Sequence, residues 1–173
     1  MHLAFVSVPE RGAADRLLSE FADRCLAGGA RLAGVVQHNS DCPEQSGCDM
    51  DLQLLPSGDL IRISQSLGAG SRGCRLDTAA LEMAVGRVGP LLEQGADLLM
   101  INKFGKHEAE GRGFRPLIGA ALLQEVPVLL GVNATNRAAF LEFAGSFAEE
   151  LAPRPEALDA WFARSRGAAL AAG

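Results

Sequence analysis

The chain has 173 residues, 48% hydrophobic and 21% charged, with 20 glycines and 8 prolines. These are ordinary globular values that exclude a disordered, collagen-like or coiled-coil chain, and the length suits one domain. The element order below makes it a single α/β domain over 1–173, with the C-terminal 167–173 frayed. The net charge of -5 argues against nucleic acid as a partner. The charge is uneven: residues 1–60 carry 4 basic and 9 acidic groups, 61–115 carry 8 and 6, and 116–173 carry 4 and 6. Only the middle third has a basic balance, so a bound anion is expected there.

In chain order, residues 2–8, HLAFVSV, read as a buried strand. Leu17, Leu18, Phe21, Ala22 and Cys25 fall at helical spacing over 13–28, and Gly28-Gly29 stops that helix. Residues 32–37 read as a second strand, and strand–helix–strand favours a parallel pair with a right-handed crossover. Residues 38–48 are turn formers. Residues 49–54 and 60–64 alternate around Pro56-Ser57-Gly58-Asp59 and read as a β-hairpin. A glycine-rich loop follows at 65–76. Asp77 or Thr78 caps a helix to about 94, which Gly95 ends. Residues 97–102, DLLMIN, are a buried strand, 103–113 a loop, 114–124 a helix and 127–132 another buried strand. Phe140, Leu141, Phe143, Ala144 and Phe147 predict a helix over 136–151. A last helix is expected over 155–166, with Trp161 in the core.

No signal peptide and no apolar run of about 18 residues is visible, so the reading is a cytoplasmic protein without a membrane partner. Cys25, Cys42, Cys48 and Cys74 form no CxxC pair and read as reduced thiols. Cys25 lies on an apolar helix face and reads as core.

Three stretches carry a family resemblance: CDMDL at 48–52, GSRGCRLD at 70–77 and INKFGKHEAEGRGFR at 101–115. They resemble the thermophile-type nucleoside-triphosphatase family of P-loop proteins. They are more similar still to a bacterial relative, the family called domain of unknown function 2478. The resemblance covers nearly the whole chain, to about residue 150. It implies a P-loop-NTPase-like three-layer α/β sandwich with a mainly parallel sheet and an inserted β-hairpin. Genes of that family often stand beside molybdate-uptake genes. The resemblance therefore implies a link to molybdenum handling, with molybdate-uptake or molybdenum-cofactor proteins as candidate partners.

An active P-loop needs GxxxxGK[ST] after the first strand, so that backbone N–H groups and the lysine hold the phosphates. Here SVPERGAADRLL at 7–18 retains only Gly12. Arg11 offers a charge without the loop geometry. Where the strand of the nucleoside-triphosphatase relatives ends in an acidic pair, the first helping to hold Mg²⁺ and the second activating water, this chain has Asn102 and Lys103. Loss of both groups together argues against hydrolysis, so the enzyme question leans to no.

Replacing two carboxylates by an amide and an ammonium favours a bare anion at the C-terminal edge of the strands. Gly70, Ser71, Arg72, Gly73, Cys74, Arg75, Asn102, Lys103, Lys106 and Arg112 are the candidate ligand-binding residues. Arginine forks and glycine-exposed N–H groups suit oxyanions. Molybdate and tungstate fit as ligands, and phosphate or sulfate fit equally by chemistry. Arg115, His107 and Asn133 lie nearby in sequence. Glu108 and Glu110 read as surface partners of Arg112 and Arg115, and Asp51 as an outward-facing strand residue. A nucleotide-hydrolysis alternative uses Glu108 as base. A thiol or metal-transfer alternative uses Cys48 and Cys74, with His38 and Cys42 as further ligands. A homo-oligomer is left open.

Overall fold

The computed structural model describes residues 2–10, 12–39, 50–65 and 76–171. Seven strands form one sheet in the order β4-β3-β2-β5-β6-β1-β7. They are β1 (Leu3–Val6), β2 (Leu32–Asn39), β3 (Met50–Leu55), β4 (Leu60–Arg62), β5 (Leu98–Phe104), β6 (Val128–Val132) and β7 (Ala148–Glu150). The helices are α1 (Ala13–Ala27), α2 (Thr78–Glu93), α3 (Lys106–Ala109), α4 (Arg115–Leu123), α5 (Ala134–Ala144) and α6 (Pro155–Ala171). β3 is antiparallel to both β2 and β4, and the remaining pairings are parallel.

Alternate strand residues face opposite helix layers. Ala4, Val6, Leu98 and Met100 pack against Leu18, Phe21 and Cys25 of α1 and Leu158, Trp161 and Phe162 of α6. Leu3, Phe5, Leu99 and Ile101 pack against α2, α4 and α5 through Leu81, Val88, Ile118 and Phe140. The result is the expected three-layer sandwich. β5 and β6 are covered on both faces, which is why they read as unbroken apolar runs.

The helix boundaries follow the local chemistry. Asp77 caps α2 by accepting from the Ala80 N–H at 3.0 Å. The first helix ends where expected, at Gly28-Gly29, with Gly29 in a left-handed conformation. The hairpin turn forms at Pro56–Asp59, closed by Gly58 N–H donating to Leu54 O and Leu54 N–H to Asp59 O.

Several expectations are corrected. β1 and β2 are parallel but not adjacent, because β6 and β5 lie between them. The helix expected over 136–151 begins at Ala134 and stops at Ala144. Gly145, at φ 58, turns the chain into a 3-10 turn and then β7, which pairs with β1. Phe147 therefore leaves the apolar stripe and is 63% exposed. A short helix, α3, interrupts the loop expected at 103–113, and α6 runs on to Ala171 rather than ending near 166. β7 is an edge strand whose Glu149 and Glu150 pair with Arg164 and Arg137, charges that discourage further strand pairing.

At the N-terminal ends of two interior strands, Arg31 grips Asp97 through its main-chain N–H at 2.8 Å and its guanidinium at 2.9 Å. The pair ties the start of β2 to the start of β5. Hydrogen bonding from Arg31 holds the Asp97 carboxyl below its ordinary value of 3.8. A carboxyl depressed in the folded state stabilises above its ordinary pKa, and that contribution fades as pH falls through the folded value. Asp97→Asn is expected to cost less than about 1 kcal/mol at pH 7, because the Arg31 side chain is largely exposed. Urea midpoints checked at pH 7 and at pH 3 should show the wild type losing more stability on acidification than the variant.

Candidate functional site

The place of a phosphate-binding loop is the turn between β1 and α1. Gly12, at φ 75, precedes α1, and Ala13 and Ala14 follow it where a P-loop has Lys and Ser or Thr. Asp15 lies in the first turn of α1, the position where a helix N-terminus favours negative charge. Asn102, 1% exposed at the end of β5, donates its Nδ2 to Asp15 Oδ1 at 3.1 Å. Its other amide atom, Oδ1, is buried without a partner beside Gly131, where a built Cβ would stand 2.7 Å away. These groups do not fit a Mg²⁺–phosphate. The lysine and hydroxyl are missing, and the amide is turned to a carboxylate of its own chain. Among the described residues no three His, Cys, Asp or Glu side chains gather to hold a metal ion.

The β5–β6 ladder slips between Asn102 and Phe104, and Lys103 stands exposed at the slip. After Phe104 the chain is shaped by Glu108, which is 3% exposed. Its Oε2 accepts from the Gly105 N–H at 2.9 Å and its Oε1 from the Phe114 N–H at 3.1 Å. The first bond is half of a capping box on α3. Gly113, at φ 59, leaves the space, since a Cβ there would lie 2.2 Å from Glu108 Oε1. Arg115 donates to the carbonyls of Glu108 and Ala109 and lies 4.5 Å over the Phe143 ring. Glu108 is therefore a frame residue inside the loop, not the surface partner of Arg115 expected from the sequence.

This frame presents Lys106, His107, Glu110 and Arg112 to a cleft of about 480 Å³. The opposite wall is the N-terminal end of α2 with Asp77, Thr78 and Ala79, and Gln65 and Leu76 complete it. Gln65 and Leu76 flank residues 66–75 in sequence. A Ser64–Leu76 bridge, the Asp77 N–H bond to Ile63 O at 2.8 Å and the Gln65 Nε2 bond to Leu76 O hold these flanks together. Glu110 ion-pairs with Lys106 at 3.7 Å and with Arg112. Its carboxyl is held below the ordinary range, first by the Arg112 hydrogen bond.

A family model described as "Protein of unknown function (DUF2478)" matches residues 3–161. The chain belongs to the DUF2478 family. The DUF2478 chain is also 37% identical over 150 residues to the molybdenum import ATP-binding protein ModC 2 of Bradyrhizobium diazoefficiens. That match takes in 86% of this chain but only 16% of the length of ModC 2. Its fold is similar to the solution structure of a human cancer-related nucleoside triphosphatase, with a TM-score of 0.62 at 15% identity. The likeness covers 96% of this chain and 97% of that one, and confirms the P-loop-NTPase-like architecture.

Of the residues nominated from the DUF2478 sequence, Lys106 and Arg112 meet in the cleft. Asn102 and Lys103 do not line it. Gly70, Ser71, Arg72, Gly73, Cys74 and Arg75 lie outside the described residues, as do Cys42 and Cys48. His38 hydrogen-bonds Gln53 at 2.6 Å, and Asp51 pairs with Arg62 at 2.9 Å. Asn133 caps α5 by accepting from the Asn136 N–H. Cys25 is core as expected, and burial, reinforced by Asp159, pushes its thiol up to about 11. Sequence reasoning missed Asp15, and also Asp77 and Thr78 as cleft residues. The Asp three positions after Gly12 was the available signal for the first. No helix among the described residues is long and apolar enough to cross a membrane.

Proposed function

We propose that this DUF2478 protein binds a small tetrahedral oxyanion without hydrolysing nucleotide, and serves molybdate handling as an accessory protein. The observation that carries the reading is the cleft between α2 and α3. The basic, glycine-rich stretch after β5 contributes Lys106, His107 and Arg112 to it, opposite Asp77 and Thr78 at the start of α2. The cleft stands at the C-terminal edge of the parallel strands, where ligands of open α/β sheets bind. The partial match to a molybdenum import ATP-binding protein supports molybdate over phosphate or sulfate, and tungstate is its nearest chemical equivalent.

The non-hydrolytic part of the reading rests on the Gly12-Ala13-Ala14 turn and the Asp15–Asn102 pair. Glu108 is unsuited to act as a base, because its two oxygens are buried and committed to backbone N–H groups. Native mass spectrometry of protein from molybdate-supplemented cells is expected to show one retained tetrahedral oxyanion. A Mg²⁺–nucleotide panel is expected to show no turnover above buffer. Turnover abolished by Glu108→Gln would contradict the reading.

A further inference from the structure

Lys106 and Arg112 are not free cations waiting at the cleft. One carboxylate, Glu110, engages both, with Oε1 toward Lys106 at 3.7 Å and Oε2 on Arg112. All three side chains line the same cleft. The arrangement is the one a bound oxyanion would make, with two oxygens of one anion shared between two cations. We propose that Glu110 is an internal competitor that occupies the cation pair in the empty state and is displaced when the oxyanion binds. This rests on the cleft being the oxyanion site.

The exchange is physically easy for a doubly charged anion. The Lys106, Glu110 and Arg112 side chains are 85%, 40% and 59% exposed, and ion pairs this exposed hold weakly. Glu110 is also free to swing into solvent, because it sits at the C-terminal end of the one-turn helix α3. A dianion brings two charges to cations that Glu110 engages with one, so it displaces the carboxylate. A monoanion gains no charge by the exchange and must also leave Glu110 nearby. Glu110 therefore acts as a specificity-determining residue, setting a threshold that doubly charged oxyanions pass and monoanions do not.

Calorimetric titration of sodium molybdate into the wild type, Glu110→Gln and Glu110→Gln/Arg112→Ala tests this, with circular dichroism confirming that each variant is folded. Glu110→Gln is expected to bind molybdate about three- to tenfold more tightly than the wild type, the scale of two exposed ion pairs removed. The double variant is expected to lose that gain. Binding by Glu110→Gln where the wild type shows none would equally support the competitor role. Wild-type binding that Glu110→Gln leaves unchanged or weakens would overturn the competitor and leave the cleft reading intact. No binding by any of the three proteins would overturn the cleft reading and the competitor with it.

Discussion

Gly34→Ala is expected to prevent stable folding. Gly34 lies in β2 between β3 and β5, paired with Leu55 on one side and Met100 on the other. Its φ is 126, a conformation L residues rarely adopt. A Cβ added there would stand 1.9 Å from the Met100 carbonyl oxygen and 2.8 Å from that residue's carbonyl carbon and amide nitrogen. The obstacle is the backbone of the central strand, which has no rotamer to move. Relief would require β2 and β5 to separate, breaking the ladder that joins the antiparallel hairpin to the parallel half of the sheet. Backbone strain and lost pairing together are expected to exceed about 4 kcal/mol. The variant should appear as insoluble protein or with its urea midpoint lowered severely. A soluble Gly34→Ala protein within about 1 kcal/mol of the wild type would show that the strands tolerate the side chain.

Glu108→Ala is expected to be the most damaging change at the site. It strips the acceptor from the Gly105 and Phe114 N–H groups, which lie around a side chain only 3% exposed. Buried donors left without partners are costly, and the expected loss is about 2–4 kcal/mol. Glu108→Gln keeps one acceptor oxygen and is expected to lose about half as much. The two variants should also lose oxyanion affinity in the same order, because the frame that carries Lys106 and Arg112 loosens. Urea denaturation at pH 7 gives the stability effect and titration gives the affinity. Equal stability of wild type and alanine variant would remove Glu108 from its framing role.

Much of this architecture is legible along the chain because its signals are local. Asp77, the Gly28-Gly29 pair and the Pro56–Asp59 turn act within a few residues, and all three do what their chemistry dictates. The apolar runs of β5 and β6 are legible because both faces are covered. β7 is not, since Ala148-Glu149-Glu150 has no strand pattern of its own and is a strand only through its bonds to β1. The separation of β1 and β2 is equally a tertiary outcome: strand order depends on where β5 and β6 insert.

At the site, the basic loop was legible through Lys106 and Arg112, whereas its frame was not. Glu108 looks like a surface acid because its partners are main-chain N–H groups, which leave no side-chain pattern to match. The Gly105-to-Glu108 spacing of a capping box was the one trace available. From its place at a strand end Asn102 reads as an anion donor, but the structure turns its Nδ2 toward Asp15. The acidic total of -5 is likewise no guide to the site, because the basic groups are concentrated in the middle third.

The central claim is that the α2–α3 cleft holds an oxyanion through Lys106 and Arg112. Isothermal titration of molybdate into the wild type and Lys106→Ala/Arg112→Ala tests it most directly, because both side chains are exposed and their removal leaves the core intact. The expected result is one saturable site in the wild type, weakened at least about tenfold in the double variant, as befits loss of two charge-assisted contacts. Equal affinity in the two folded proteins, or no binding by the wild type and by Glu110→Gln alike, would contradict it.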